Sequence, residues 1–205
     1  MKNSSPAQDG IIVARFFCSP PQGDISISMI ISREVAHRSA IVPPNLAPAL
    51  PHIICSGFTA AEIESELIDL SYLGITDLLL LRGDKAKSDN RFIPTPEGHA
   101  HAIDLCQQIN RFNNGQLLGG VQNEMLTEPF TYGVAGYPEK HDEAMNMETD
   151  IENLKAKVNA GAHYIVTQMF FDNSKYFAFV KRLRKEGINV PVIPGLKPLT
   201  TLNHL

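Results

Sequence analysis

The residues able to do chemistry in this chain sit just beyond short apolar runs. Arg82-Gly83-Asp84 follows Asp77–Leu81 and sets a cation and a carboxylate either side of a glycine, where the backbone can approach a ligand closely. A solvated ion pair at a turn is the competing reading. Gly136-Tyr137-Pro138-Glu139-Lys140-His141 follows Tyr132–Ala135 and supplies an aromatic ring, a fixed turn and an imidazole. That set suits a planar, partly charged ligand, and an ordinary proline turn with exposed polar groups is its alternative. Gln168, ending Tyr164–Gln168, offers an amide donor and acceptor able to read the edge of a heterocycle. Phe170 and Phe171 beyond it either stack on a ring or simply pack. Asp150/Asn153 and Asn153/Lys157 are spaced to share one helical face, which on a surface helix usually means solvation.

Other chemistries find little support. No G-x-S-x-G occurs, and no cysteine has a plausible histidine partner. His99 and His101 would both reach one metal only on a strand, and their surroundings read as helix. His52 opens an apolar strand, where a lone histidine is usually a satisfied core residue. Aromatic, amide and mixed-charge strand tips without a metal or nucleophile point to a bound organic cofactor.

The elements that position these residues alternate regularly from Pro51. An apolar strand at His52–Cys55 leads to Thr59-Ala-Ala-Glu62, a capping box whose hydroxyl and carboxylate satisfy amides at a helix start. Ile63, Leu67 and Leu70 share the inward face of that helix, and Gly74 falls where a left-handed cap belongs. Asp77–Leu81 reads as a buried strand. A helix follows around His99–Arg111 with Ile103 inward, then Asn113-Asn-Gly115 and Gly119-Gly120 mark loop. Tyr132–Ala135 is the third strand. Thr149-Asp-Ile-Glu152 predicts a second capping box, with Ile151, Leu154 and Val158 as the stripe of a helix ending at Gly161. Tyr164–Gln168 is the fourth strand; Asp172 caps a helix lined by Phe177, Val180 and Leu183 and closed by Gly187. Val190–Ile193 is the fifth.

Five strands alternating with four helices imply right-handed βαβ units and a parallel sheet. An open doubly wound sheet would carry a Gly-rich phosphate turn, and neither G-x-G-x-x-G nor G-x-x-x-x-G-K-[ST] is present. A (β/α)₈ TIM barrel puts chemistry on the C-terminal ends of several strands, where the polar residues cluster. The barrel is therefore the predicted fold, incomplete in this chain. Residues 1–50 form an atypical segment with six of the fourteen prolines, in which only Ile11–Phe17 and Ile25–Ser32 look like strands.

Composition bounds the partners. The chain has 205 residues, 43% hydrophobic and 20% charged, a globular balance. With 18 basic against 22 acidic residues the net charge is −4, which argues against nucleic-acid or membrane-surface binding. No apolar run approaches the ~18 residues of a transmembrane helix. The polar start does not read as a secretory signal. Three scattered cysteines, Cys18, Cys55 and Cys106, give neither a disulfide framework nor a zinc site, so a reducing cytosol is expected.

Taken in series, these motifs carry a family likeness. Pro51-His52-Ile-Ile-Cys55, Leu81-Arg82-Gly83-Asp84, Gly136 to His141, Asp150 to Val158, Gly161-Ala162, Thr167 to Asp172 and Ile193-Pro194-Gly195 together resemble methylenetetrahydrofolate reductase from about Pro51 to the C-terminus. The resemblance implies a flavin-dependent (β/α)₈ barrel that passes hydride from NADH or NADPH to FAD, then to 5,10-methylenetetrahydrofolate, giving 5-methyltetrahydrofolate for methionine synthesis. It implies FAD contacts at His52, Arg82, Gly83, Asp84, Ala102, Tyr137, His141, Ala144, Asp150, Asn153 and Lys157. Folate contacts are implied at Asp84 and Gln168. Asp84 is then the catalytic carboxylate, stabilising the iminium cation formed as the substrate ring opens. No metal is implied, and the intact enzyme is expected to be a homo-oligomer in the cytoplasm.

The chain also departs from the family pattern. Arg15-Phe16-Phe17-Cys18-Ser19-Pro20-Pro21 lacks the glutamate that serves the family as general acid. Ala156 replaces an arginine of some relatives, His204 stands near a folate-binding glutamine position, and the final units with a substrate arginine are absent. General acid catalysis contributes roughly 10²–10⁴-fold in rate, so a poorly active fragment is expected. One rival is a non-catalytic flavin- or folate-binding or interaction remnant of the enzyme. The other, a Schiff-base aldolase using Lys197, suffers because that lysine lies between Leu196 and Pro198 in a loop.

Overall fold

The computed structural model describes residues 50–85, 89, 91–122 and 128–196. The two strand-like stretches before residue 50, Cys18, Lys197 and His204 lie outside the described residues.

The order is β1 (His52–Ile54), α1 (Ala60–Tyr72), β2 (Asp77–Leu81), α2 (Ala102–Asn113), a short 3₁₀ turn (Leu118–Gly120), β3 (Thr131–Gly136), α3 (Met147–Asn159), β4 (Tyr164–Thr167), α4 (Asn173–Lys185) and β5 (Val192–Ile193). All neighbours pair in parallel, in the sequential order β1-β2-β3-β4-β5. A doubly wound sheet reverses its strand order at a switch point. This one never reverses, so it is an arc of a (β/α)₈ barrel.

Local signals account for the helix ends. Thr59 Oγ1 accepts from Glu62 N–H at 3.2 Å while Glu62 Oε2 accepts from Thr59 N–H at 2.8 Å, completing the expected box. Asp172 caps α4, its Oδ1 accepting from Ser174 N–H at 2.8 Å. The second predicted box does not form. Asn146 caps α3, its Oδ1 accepting from Thr149 N–H at 2.8 Å. Starting there adds Met147 to the apolar stripe of Ile151, Leu154 and Val158, at spacings of four, three and four. Phe177 is also corrected. It is 66% exposed, and Phe179 and Leu183 supply the buried face of α4. β4 ends at Thr167, one residue early, and β5 is half the expected length.

The sheet has two unlike faces. Ile53, Leu78, Leu80, Tyr132, Val134 and Ile165 pack against Leu67, Leu105, Ile109, Phe112, Leu154 and Leu183 of the helices. Each such burial contributes about 1.5–3 kcal/mol. The opposite, barrel-interior face holds Leu50, Leu79 and Val166, with Leu81, Tyr164 and Ile193 against them. One interior layer runs His52, Leu79, Gly133, Tyr164 in register. Gly133 is required there, because an added Cβ would lie 2.0 Å from the Tyr164 ring, whose hydroxyl donates to Leu78 O at 2.9 Å. Among the described residues no helix is long and apolar enough to cross a bilayer.

Candidate functional site

The C-terminal tips of β2 and β3 and the start of α3 form one interlocked group. Past β2 the pairing with β1 continues through Cys55 N–H to Leu81 O (3.2 Å) and Ser56 N–H to Arg82 O (3.1 Å). Gly83 follows at φ +86°, so close to Ser56 that a Cβ would lie 2.1 Å from its Oγ and 2.9 Å from its Cβ. Glycine's close approach is thus made to the neighbouring strand tip.

Arg82 does not pair with Asp84, contrary to the turn ion pair open in the sequence. Its Nη1 donates to the Glu143 carboxylate, and its guanidinium lies over Phe92, 4.5 Å from the ring centroid. Arg82 Nε is buried and meets no acceptor among the described residues. Asp84 is exposed at the tip, and its carboxylate makes no ion pair among them.

At the β3 tip the Tyr137 and His141 rings meet edge to face, 4.7 Å apart and at 86°. Burial, then the Asp150 and Asp84 carboxylates, push the Tyr137 hydroxyl up to about 12. Burial pushes the His141 imidazole down, as does Arg82, against the opposing pull of Asp150 and Glu143. Glu143 N–H donates to His141 Nδ1 at 3.1 Å, and His141 N–H donates to Asp150 Oδ2 at 3.0 Å. Lys140, at φ +83°, turns its ammonium back onto the carbonyls of His141 and Ala144 (2.7 Å each) and Asp142 (3.3 Å). Ala144 N–H closes the same turn on His141 O at 3.0 Å.

The helical face of α3 is more than solvated. Lys157 Nζ donates to Ala135 O at 3.2 Å, and burial pushes its amine down against the pull of Asp150. Asn153 is exposed between them. Gln168 N–H donates to Gly136 O at 2.8 Å, which fastens the β4 tip beside β3, while its side chain is exposed and accepts from Met169 N–H at 3.1 Å. Thr167 Oγ1, fully buried, accepts from Gly195 N–H at 3.0 Å and ties β4 to the end of β5. Phe170 stacks on Tyr176 at 5.0 Å and 11°, a packing role, whereas Phe171 is 71% exposed.

Arg82, Asp84, Tyr137, His141, Asp150 and Lys157 therefore act on one another electrostatically, with Gln168 adjoining. His52 lies deeper, on the interior layer within β1, where burial pushes its imidazole down to about 4. Ala102 opens α2, whose N-terminus lies at the strand-tip end of a βα unit. His101 caps that helix, its N–H held by Asp104 at 2.9 Å, and His99 bonds Gln108. Sequence reading missed Glu143 and Phe92, and it named Lys140 within the β3-tip motif without a role of its own. The Arg82–Glu143 contact spans 61 residues, beyond any local spacing rule. Burial pushes the Cys55 and Cys106 thiols up to about 12 and about 11, so thiolate chemistry is disfavoured. The group instead offers fixed cations, N–H donors, carboxylates and an aromatic edge.

Comparison with known proteins gives this arrangement its context. The family model described as methylenetetrahydrofolate reductase matches residues 31–205. A 5,10-methylenetetrahydrofolate reductase of Salmonella typhimurium is 35% identical over 156 residues, covering 76% of this chain and 46% of that protein. Methylenetetrahydrofolate reductase (NADH) 1 of Zea mays is 32% identical over 192 residues, 89% of this chain and 30% of the relative. Methylenetetrahydrofolate reductase 2 of Saccharomyces cerevisiae is 33% identical over 152 residues, 73% of this chain and 23% of the relative. This chain thus spans between about a quarter and about half of these relatives' length. With the family's motifs lying in order along an unreversed parallel arc, the chain belongs to the methylenetetrahydrofolate reductase family.

Proposed function

We propose that residues 51–205 carry the flavin- and folate-binding face of a methylenetetrahydrofolate reductase, with residues 1–50 as an atypical proline-rich segment. The supporting observation is Arg82 Nε, buried without an acceptor among the described residues beside a convergent set of donors and carboxylates. A ligand rich in acceptor atoms satisfies such a group, and FAD has phosphate, ribityl and ring acceptors. FAD, when bound, supplies the hydride chemistry, with NADH or NADPH as donor and 5,10-methylenetetrahydrofolate as acceptor.

The chain's own residues bind and orient. Arg82 presents a rigid guanidinium fork, and Lys157 a compact charge at the end of a flexible stem. Tyr137 stays protonated across the physiological range and keeps its O–H as a donor. His52, Ala102, Ala144, Asp150 and Asn153 complete the flavin contacts of this reading, and Gln168 reads the substrate edge. Asp84, in no ion pair among the described residues, stabilises positive charge on the opening folate ring.

The absence of a carboxylate in Arg15–Pro21 gives the expected rate. Without that general acid, turnover falls by roughly 10²–10⁴-fold. The same absence favours a second reading, a flavin or folate binder without catalysis. Titrating the purified chain with FAD, then following NADH oxidation with folate substrate, tests both. Saturable flavin binding with slow turnover is expected; binding with no turnover selects the second reading. A chain that retains no flavin at excess FAD refutes the first reading, and one that also fails to bind the folate substrate refutes the second.

A further inference from the structure

Glu143 touches two groups of the candidate site through two different parts of itself. Its carboxylate accepts from Arg82 Nη1, and its backbone N–H donates to His141 Nδ1 at 3.1 Å. The turn that allows this is stapled by Lys140, whose ammonium bonds three carbonyls within four residues. We propose that Glu143 is a positioning residue that holds the Arg82 guanidinium away from Asp84 while fixing His141 as the Nε2–H tautomer.

The chemistry follows from donor and acceptor counting. A neutral imidazole has one N–H and one acceptor nitrogen, and the acceptor must be the nitrogen that receives a backbone N–H. Nδ1 is therefore bare, and Nε2–H is the donor His141 retains for a ligand. On the arginine side, Asp84 lies two residues from Arg82 and would attract a free guanidinium. Glu143 occupies Nη1 instead, so the Asp84 carboxylate stays uncommitted among the described residues. This arrangement rests on the flavin and folate reading only for what Arg82, Asp84 and His141 then contact.

His141 is surrounded by Arg82 from the β2 tip, Asp150 and Lys157 from α3, Glu143 of its own turn, and the edge of Tyr137. Removing the Glu143 charge leaves Arg82 less compensated, so His141 becomes harder to protonate.

The test uses the ligand-free chain. Long-range ¹⁵N–¹H correlation of the His141 ring gives its tautomer and titration midpoint in the wild type, Glu143→Gln and Glu143→Asp. The wild type is expected as the Nε2–H tautomer. Glu143→Gln is expected to lower the midpoint by roughly half a pH unit, and Glu143→Asp, which keeps the charge, to restore most of it. A purely structural role would shift both variants alike. An Nδ1–H tautomer in the wild type, equal shifts in both variants, or a midpoint raised by Glu143→Gln overturns the proposal. FAD titration forms a second arm, with a roughly two- to fivefold weaker affinity expected for Glu143→Gln and recovery in Glu143→Asp. A wild type that fails to bind FAD refutes the flavin reading, while the ring correlations still decide the role of Glu143.

Discussion

The tips of β2 and β3 differ from the tip of β4 in how much their side chains are already committed. At the first pair, Arg82 is clamped between Glu143 and Phe92, His141 is held at both its amide and its ring, and Lys157 is anchored on Ala135 O. At β4, Gln168 bonds only its own neighbour through its side chain among the described residues, and Phe171 stands 71% exposed. A cofactor that stays bound benefits from a preorganised cradle, because little ordering remains to be done on binding. A substrate that comes and goes can be met by looser groups. The contrast fits a flavin cradle at the β2 and β3 tips, with folate met by the looser groups, Gln168 at β4 and Asp84 at the edge of β2, and it makes the committed and uncommitted groups respond differently to substitution.

The largest effect is expected at Gly83. A Cβ there meets Ser56 Cβ at 2.9 Å, at a φ of +86° that L side chains avoid. Gly83→Ala should therefore cost about 2–4 kcal/mol by urea unfolding, from strain and overpacking together. Gly120 has a similar φ of +79° but open space around it, so Gly120→Ala should cost only about 1–2 kcal/mol. Equal losses would show that the crowding between the β1 and β2 tips is not real.

The next effect is a pH dependence from the same side of the arc. Burial holds His52 at about 4, well below the 6.5 of an exposed histidine. The unfolded chain then binds the proton more readily. Stability from this group is complete above about pH 6.5 and is lost as the pH falls toward 4, by at most about 3 kcal/mol. Unfolding free energies measured from pH 7 to pH 4 should fall less steeply in His52→Gln. Parallel curves for variant and wild type would mean that His52 is not desolvated on the barrel interior.

Lys157→Met separates binding from stability. The amine is turned inward and loses hydration, so an apolar replacement of similar length relieves that cost while giving up the bond to Ala135 O and the pull of Asp150, and stability should change by under about 1.5 kcal/mol. Flavin affinity should nonetheless fall about tenfold, the equivalent of one lost hydrogen bond to a charged group. Unaltered affinity would remove Lys157 from the cradle.

Much of this was legible in sequence where the determining signal is local. Thr59 and Glu62 announced a helix start, β2 was bounded to the residue, and sequential alternation predicted the unreversed sheet. The α3 start was not, because Asn146 and Thr149 both have capping chemistry and the choice is made by whether Met147 gains a place in the core. Phe177 misled for a related reason. It is one residue from Tyr176, about 100° around the helix, and its neighbour took the inward position by bonding Val192 O. The strand tips showed which residue types stand ready, but not their partners. Nothing in Arg82-Gly83-Asp84 hints that the guanidinium ignores the adjacent carboxylate for one on the next loop. That choice depends on the distance between two strand tips, which only the closed arc fixes.

The smallest effect is expected at Gln168, and it is the sharpest test of the contrast. Its side chain is exposed and among the described residues bonds only Met169 N–H, an amide that water can serve as well. Gln168→Ala should change stability by under about 0.5 kcal/mol, the usual range for such a surface site. FAD affinity should move by less than about twofold, since an exposed, uncommitted amide contributes little to a cradle built on the other side. The response should appear in the folate arm alone, as a raised KM for 5,10-methylenetetrahydrofolate, or as weaker folate binding if turnover is too slow to follow. A tenfold loss of flavin affinity in Gln168→Ala would place the β4 tip inside the cradle, and the division between a committed and an uncommitted side of the arc would fail.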